Sequence, residues 1–84
     1  MATLIVVTPT LEALSNRARA SLALPDPASR RAIRRAAGVS LSELAAVVGV
    51  TKGAVQHWER GRRRPTGEHL ERYVAALTAC RGII

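Results

Sequence analysis

Residues 40–61 read SLSELAAVVGVTKGAVQHWERG, two short helical patterns on either side of a glycine. Ser40 and Glu43 stand three apart, just ahead of an apolar run. That is the spacing of a capping box, in which the Ser40 hydroxyl accepts from the Glu43 amide and the Glu43 carboxylate accepts from the Ser40 amide. The helix they start runs to about Val48 and gathers Leu41, Leu44, Ala45 and Val48 on one face. Gly49-Val50 turns the chain, since Gly49 takes a positive φ at little cost. Thr51 caps a second helix that continues to about Arg60, with Ala54, Val55 and Trp58 inward and Gly61 as its stop. Ala45, four residues before the turn, is small enough for the two helices to approach where they cross. The outer side of the second helix then carries Lys52, Gly53, Gln56, His57 and Arg60.

Working outward, Asp26 caps and Pro27 opens a preceding helix over Ala28–Ala37, which Gly38 ends. The run Leu24-Pro25-Asp26-Pro27 breaks any helix and marks the boundary between an N-terminal extension, residues 1–25, and a domain over residues 26–84. In the extension Thr3–Val7 is β-prone. Thr8 as cap and Pro9 at the first helical position then start a helix through Leu24. Leu11, Leu14, Ala18 and Leu22 form its apolar stripe. This extension either folds back over the chain's own core or pairs with a second copy. On the other side, Arg62-Arg63-Arg64-Pro65 makes an exposed basic loop and Thr66 caps a last helix with Leu70, Tyr73, Val74 and Leu77 inward. Arg81 to Ile84 form a tail.

Eighty-four residues carry thirteen Lys+Arg against six Asp+Glu, a net charge of +7. That balance favours a polyanionic partner, because neutralising phosphates releases condensed counterions. Trp58 and Tyr73 are the only aromatic residues, so Leu, Val, Ile and Ala must build the core. A lone Cys80 excludes an intrachain disulfide and a cysteine-rich metal site, and reads as a small hydrophobe near a helix end. His57 and His69 have no cysteine or carboxylate at metal spacing, so neither a metal nor a cofactor is expected. Trp58 reads as core rather than as a base-stacking platform. No apolar run reaches the roughly 20 residues that span a membrane, and Leu4-Ile5-Val6-Val7 lacks the basic front of a signal peptide. No membrane partner or small-molecule ligand is expected, and the compartment expected is the bacterial cytoplasm, near the nucleoid.

The pattern Gly38-Val39-Ser40-x-x-Glu43-Leu44-Ala45-x-x-x-Gly49-Val50-Thr51-x-x-x-Val55-x-x-x-Glu59-x-Gly61-x-x-x-Pro65 resembles the Xre/Cro family of phage repressors and bacterial regulators. The resemblance covers about residues 28–79. It implies an all-α, lambda-repressor-like helix-turn-helix bundle of four to five helices, here with the N-terminal extension added. It further implies that the helix over about residues 51–60 enters the major groove of double-stranded DNA. Lys52, Gly53 and His57 fall where base edges are read, with Gln56 beside them; Thr51 and Arg60 fall where phosphates are held. Arg34 and Glu59 match a structural ion pair. The chain departs from the family in three places. Leu41 stands where many members carry a phosphate-clamping glutamine, which shifts anchoring to Ser42, the adjacent amides or Arg62, Arg63 and Arg64. Gly53 removes one base-reading side chain. Arg30 replaces an apolar residue, so that its helix is splayed, covered by the extension, or in contact with DNA. Arg31 and Arg35 either approach phosphate or are solvated.

Nothing in the sequence forms a catalytic arrangement, so an enzyme is not expected. The expected function is a sequence-specific DNA-binding regulator of transcription, working as a monomer or as a homodimer that forms in solution or on DNA. The alternatives are an antitoxin-type interaction module with autoregulatory DNA binding, and a nucleoid protein without sequence preference.

Overall fold

The first four helices each begin where a side-chain oxygen takes up an orphan amide, whereas Thr66, the expected cap of the last, makes no side-chain hydrogen bond among the described residues. A computed structural model describing residues 10–83 contains five helices and, among the described residues, no strand: α1 (Leu11–Ala23), α2 (Pro27–Ala36), α3 (Leu41–Val48), α4 (Lys52–Glu59) and α5 (Gly67–Ile83). Asp26 accepts from the Ser29 amide and hydroxyl at 3.2 and 2.6 Å, bonds that hold its carboxyl below the usual range. The capping box forms with both bonds at 3.0 Å, and the Ser40 bonds likewise hold the Glu43 carboxyl low. Thr51 accepts from the Ala54 amide at 3.1 Å. Gly49 has φ +85° and donates to the Ala45 carbonyl at 2.8 Å, ending α3 in the left-handed region that only glycine enters cheaply.

The expected start of α1 moves. Thr10, not Thr8, is its cap, accepting from the Ala13 amide at 3.1 Å; Thr3–Val7, Thr8 and Pro9 lie outside the described residues. Thr10 offers the same hydroxyl and puts Glu12 in the first turn, which suits the helix dipole. The other end of the chain also differs. Arg81 and Gly82 belong to the last turn of α5 rather than to a tail, next to Cys80, which is buried in the core.

Ile33 of α2, Leu44, Ala45 and Val48 of α3, Val55 and Trp58 of α4, and Tyr73, Ala76, Leu77 and Cys80 of α5 make one core. Val74 is only half-buried, and Ala76 takes the inward place instead. The rings of Trp58 and Tyr73 lie 4.8 Å apart, tilted by 47°. α1 lies along α5, but not through the Leu11–Leu22 stripe. Leu11, Leu14, Ala18 and Leu22 are all exposed, and Ala13, Arg17, Ala20 and Leu24 turn inward instead. Alanines at the contact let two helices approach closely, which leucines would prevent.

Two buried arginines tie the helices together. Arg34 donates from Nε and Nη2 to the two Glu59 oxygens at 2.6 and 3.0 Å, and from Nη1 to the Val39 carbonyl at 2.9 Å. The hydrogen bond to Glu59 raises its pKa. Arg30 donates from Nε to the Pro25 carbonyl at 2.6 Å and from Nη1 to the Trp58 carbonyl at 2.9 Å. Arg30, where the family pattern has an apolar residue, is thus turned inward and covered by the Pro25 link, clamping it to the end of α4.

Glu59→Ala should therefore cost about 3–5 kcal/mol of unfolding free energy in urea titration, since it strands a buried guanidinium; a loss under about 1 kcal/mol would mean that the pair does not hold α4. Tyr73 makes a second test. It is fully buried, its hydroxyl has no hydrogen-bond partner among the described residues, and burial chiefly, then the Glu59 charge, pushes its pKa up to about 12. Folding thus favours the neutral phenol: its contribution is intact below pH 10 and lost as pH rises through 12. Tyr73→Phe should keep or raise neutral-pH stability by up to about 1 kcal/mol and blunt the fall above pH 10, read by thermal denaturation. A lower melting temperature at pH 7 would show that the hydroxyl is satisfied.

Candidate nucleic-acid interface

α4 is sorted by its own periodicity. Val55, Trp58 and Glu59 are buried and Ala54 packs against the core, so the other positions lie toward the outer side. At about 100° per residue, Lys52, Gly53, Gln56, His57 and Arg60 occupy one arc of about 140°. Lys52, Gly53 and Arg60 are exposed, whereas Gln56 and His57 are half-buried, set against the flanks of the helix rather than standing clear of it. A Cβ at Gly53 would meet only Thr51 Oγ1, at 3.9 Å. Nothing inside the protein therefore requires a glycine there.

Two recesses flank this arc. The first, of about 80 Å³, lies between the start of α3 and the end of α4 and is lined by Arg31, Arg34, Leu41, Gln56, Glu59 and Arg60. Arg34 and Glu59 satisfy one another at its floor, so Arg31 and Arg60 supply its uncompensated positive charge. From the sequence alone, Arg31 either approaches phosphate or is solvated. Its signal was position: three residues before Arg34 on the same helix, it shares a face with the buried pair. Leu41, where the glutamine clamp is missing, lines this same recess. Arg35 is exposed and lines neither recess.

The second recess, of about 430 Å³, opens between the α3–α4 turn and the start of α5. Thr51, Arg63, Arg64, Thr66 and His69 line it, over Trp58. Thr51 caps α4 with its oxygen and retains a hydroxyl hydrogen to donate outward. Of the three loop arginines, Arg62 and Arg63 are exposed, and Arg64 is partly committed: its Nη2 donates to the Ser21 hydroxyl at 2.7 Å and the Ser21 carbonyl at 3.3 Å. Gly61, at φ +70°, bends the chain into this loop close to Pro27, whose Cγ a Cβ would meet at 3.2 Å. Ser42 is exposed in the first turn of α3. The fold thus gathers Gln56 and Arg60 with Arg31 on one side, and Thr51 with Arg63 and Arg64 on the other. Lys52, Gly53 and His57 line neither recess.

No group of three or more His, Cys, Asp or Glu among the described residues could hold a metal ion. No helix among them is long and apolar enough to cross a membrane. Residues 31–78 match a protein-family model described as helix-turn-helix. No curated protein and no solved structure matches the chain.

Proposed function

We propose that this chain, which belongs to the Xre/lambda-repressor-like helix-turn-helix family of DNA-binding regulators, is a sequence-specific transcriptional repressor of phage-repressor or Cro type that acts by occupying an operator. The observation that carries the reading is the division of α4: one side locked by Val55, Trp58 and Glu59, the other an open polar arc between two arginine-lined recesses. A major groove about 12 Å wide admits a helix of this kind, entered by its N-terminal residues. Lys52 and Gln56 are suited to donate to guanine or adenine edges, and His57 to reach a base one turn on. Gly53 leaves space at the base edge; it carries a helix-propensity cost of up to about 1 kcal/mol relative to Ala that no internal contact demands. Ser42, Thr51, Arg60, Arg62, Arg63 and Arg64 serve as phosphate contacts, joined by Arg31, which takes over the anchoring that Leu41 cannot provide. Such contacts fix register without reading sequence.

Binding-site selection from random duplex DNA at fixed physiological salt, then titration of the winner, tests the proposal. One motif bound about 10³-fold or more above random DNA is expected; no enrichment would overturn it. Lys52→Ala and His57→Ala should each flatten preference by about 1–3 kcal/mol at the base read. If both leave preference intact, α4 is not the reading element. Arg31→Ala and Arg63→Ala should instead weaken all sequences alike and shrink the salt slope by about one unit each. An unchanged slope would return that residue to plain solvation.

A further inference from the structure

We propose that Ser21, in the last turn of α1, is a positioning residue for DNA: it holds Arg64 at the second recess, so that α1 sets how firmly that recess grips a phosphate. The role rests on the DNA-binding reading of the recess, in which the loop arginines meet the backbone. α1 itself lies outside the helix-turn-helix pair α3 and α4.

The contact follows from how α1 ends. In a helix the Ser21 carbonyl would accept from the amide of residue 25. That residue is Pro25, which has no N–H to give, so the carbonyl is left without its helical partner. α1 also has no basic residue in its last turn, and the negative end of its dipole goes uncompensated from within the helix. Arg64 supplies both the donor and the charge. Its Nη2 donates to the Ser21 carbonyl at 3.3 Å and to the Ser21 hydroxyl at 2.7 Å.

Of the three loop arginines, Arg64 alone makes a side-chain hydrogen bond among the described residues. It stands directly before Pro65, which is fully buried and anchors the loop on that side. An unbonded arginine samples many rotamers, and freezing them on a phosphate costs affinity. The Ser21 bonds freeze part of that freedom before DNA arrives. They occupy Nη2 and leave Nε and Nη1 to donate to a phosphate oxygen. Ser21 thus governs how Arg64 is placed and not how many charges meet the DNA. Both residues are exposed, so the effect is modest.

Two measurements on the full chain test the role. In the free protein, side-chain NMR relaxation of the Arg64 Nε should show it restrained in the parent and in Ser21→Thr, and mobile in Ser21→Ala. In titrations of a selected duplex and a random one, Ser21→Ala should weaken both alike, by about two- to fivefold. The salt slope should stay unchanged, because no charge is lost. Ser21→Thr, which keeps the hydroxyl, should stay within about twofold of the parent. Arg64→Ala should lower the slope by about one unit, and in that background Ser21→Ala should have no further effect. An Arg64 Nε equally mobile in the parent and in Ser21→Ala would overturn the proposal whatever the DNA result. So would full affinity in Ser21→Ala, or the same loss with and without Arg64, which would trace the effect to the packing of α1. A parent chain that binds no duplex would overturn the DNA-binding reading and this role with it, a failure distinct from variants that bind equally well.

Discussion

The guanidinium of Arg34 is the point through which three elements are fixed. It spends both prongs on Glu59 at the end of α4 and its third nitrogen on the Val39 carbonyl just before α3. A buried ion pair of this kind is a poor source of net stability, because the desolvation of two charges offsets most of the Coulomb gain. Its effect is geometric. A planar fork meeting a carboxylate with two bonds tolerates little rotation, so the end of α4 is oriented relative to α2, and the Val39 bond places the start of α3 in the same frame. The recess lined by Arg31, Gln56 and Arg60 exists only because those three elements are held in that arrangement.

Arg30 extends the same logic in the other direction. It ties the Pro25 carbonyl, in the link to α1, to the Trp58 carbonyl at the base of the core. Beyond that clamp, α1 is held by its packing along α5 rather than by strong polar bonds. Arg17 and Glu71 approach only to 3.9 Å with both side chains partly solvated, a contact worth little. Arg64 reaches Ser21 at an exposed site. The bonding thus changes along the molecule, from an α2–α3–α4 frame fixed by buried hydrogen bonds to an α1 that packs on α5 through Ala13, Arg17 and Ala20 and turns its leucines outward.

What was legible in the sequence follows the same gradient. The Ser40–Glu43 box, the Gly49 turn, the Asp26 and Thr51 caps and the burial of Val55 and Trp58 were readable because each is decided within a few residues by local hydrogen bonding or periodicity. The Arg34–Glu59 pair, 25 residues apart, came only from the family resemblance, and the structure bears it out. Arg30 was not legible, since a backbone carbonyl as partner leaves no trace in side-chain identity. The α1 stripe left its own side open for a physical reason: periodicity shows that leucines share a face but not which side the face takes. Small residues won the contact with α5. Of the candidate site, the arc on α4 was legible, while its two flanking recesses were not, being lined by residues from three or four separate elements.

Leu41, Gly53 and Arg31 are best understood together. In the proposed reading, Leu41 at the start of α3 and Gly53 on α4 each leave the outer surface without a polar side chain that could anchor or read DNA. Arg31 sits across the first recess from Leu41, so a charge from α2 stands where a neutral donor on α3 would otherwise work. Charge acts over longer distances than a hydrogen bond and is indifferent to base sequence. Anchoring by Arg31 is therefore compatible with a recognition helix that has fewer side chains to spare, because it demands no precise register from α3. Glycine at position 53, where a Cβ would meet nothing nearer than Thr51 Oγ1 at 3.9 Å, leaves that part of the arc open, which is the room a close approach to base edges needs in the proposed reading.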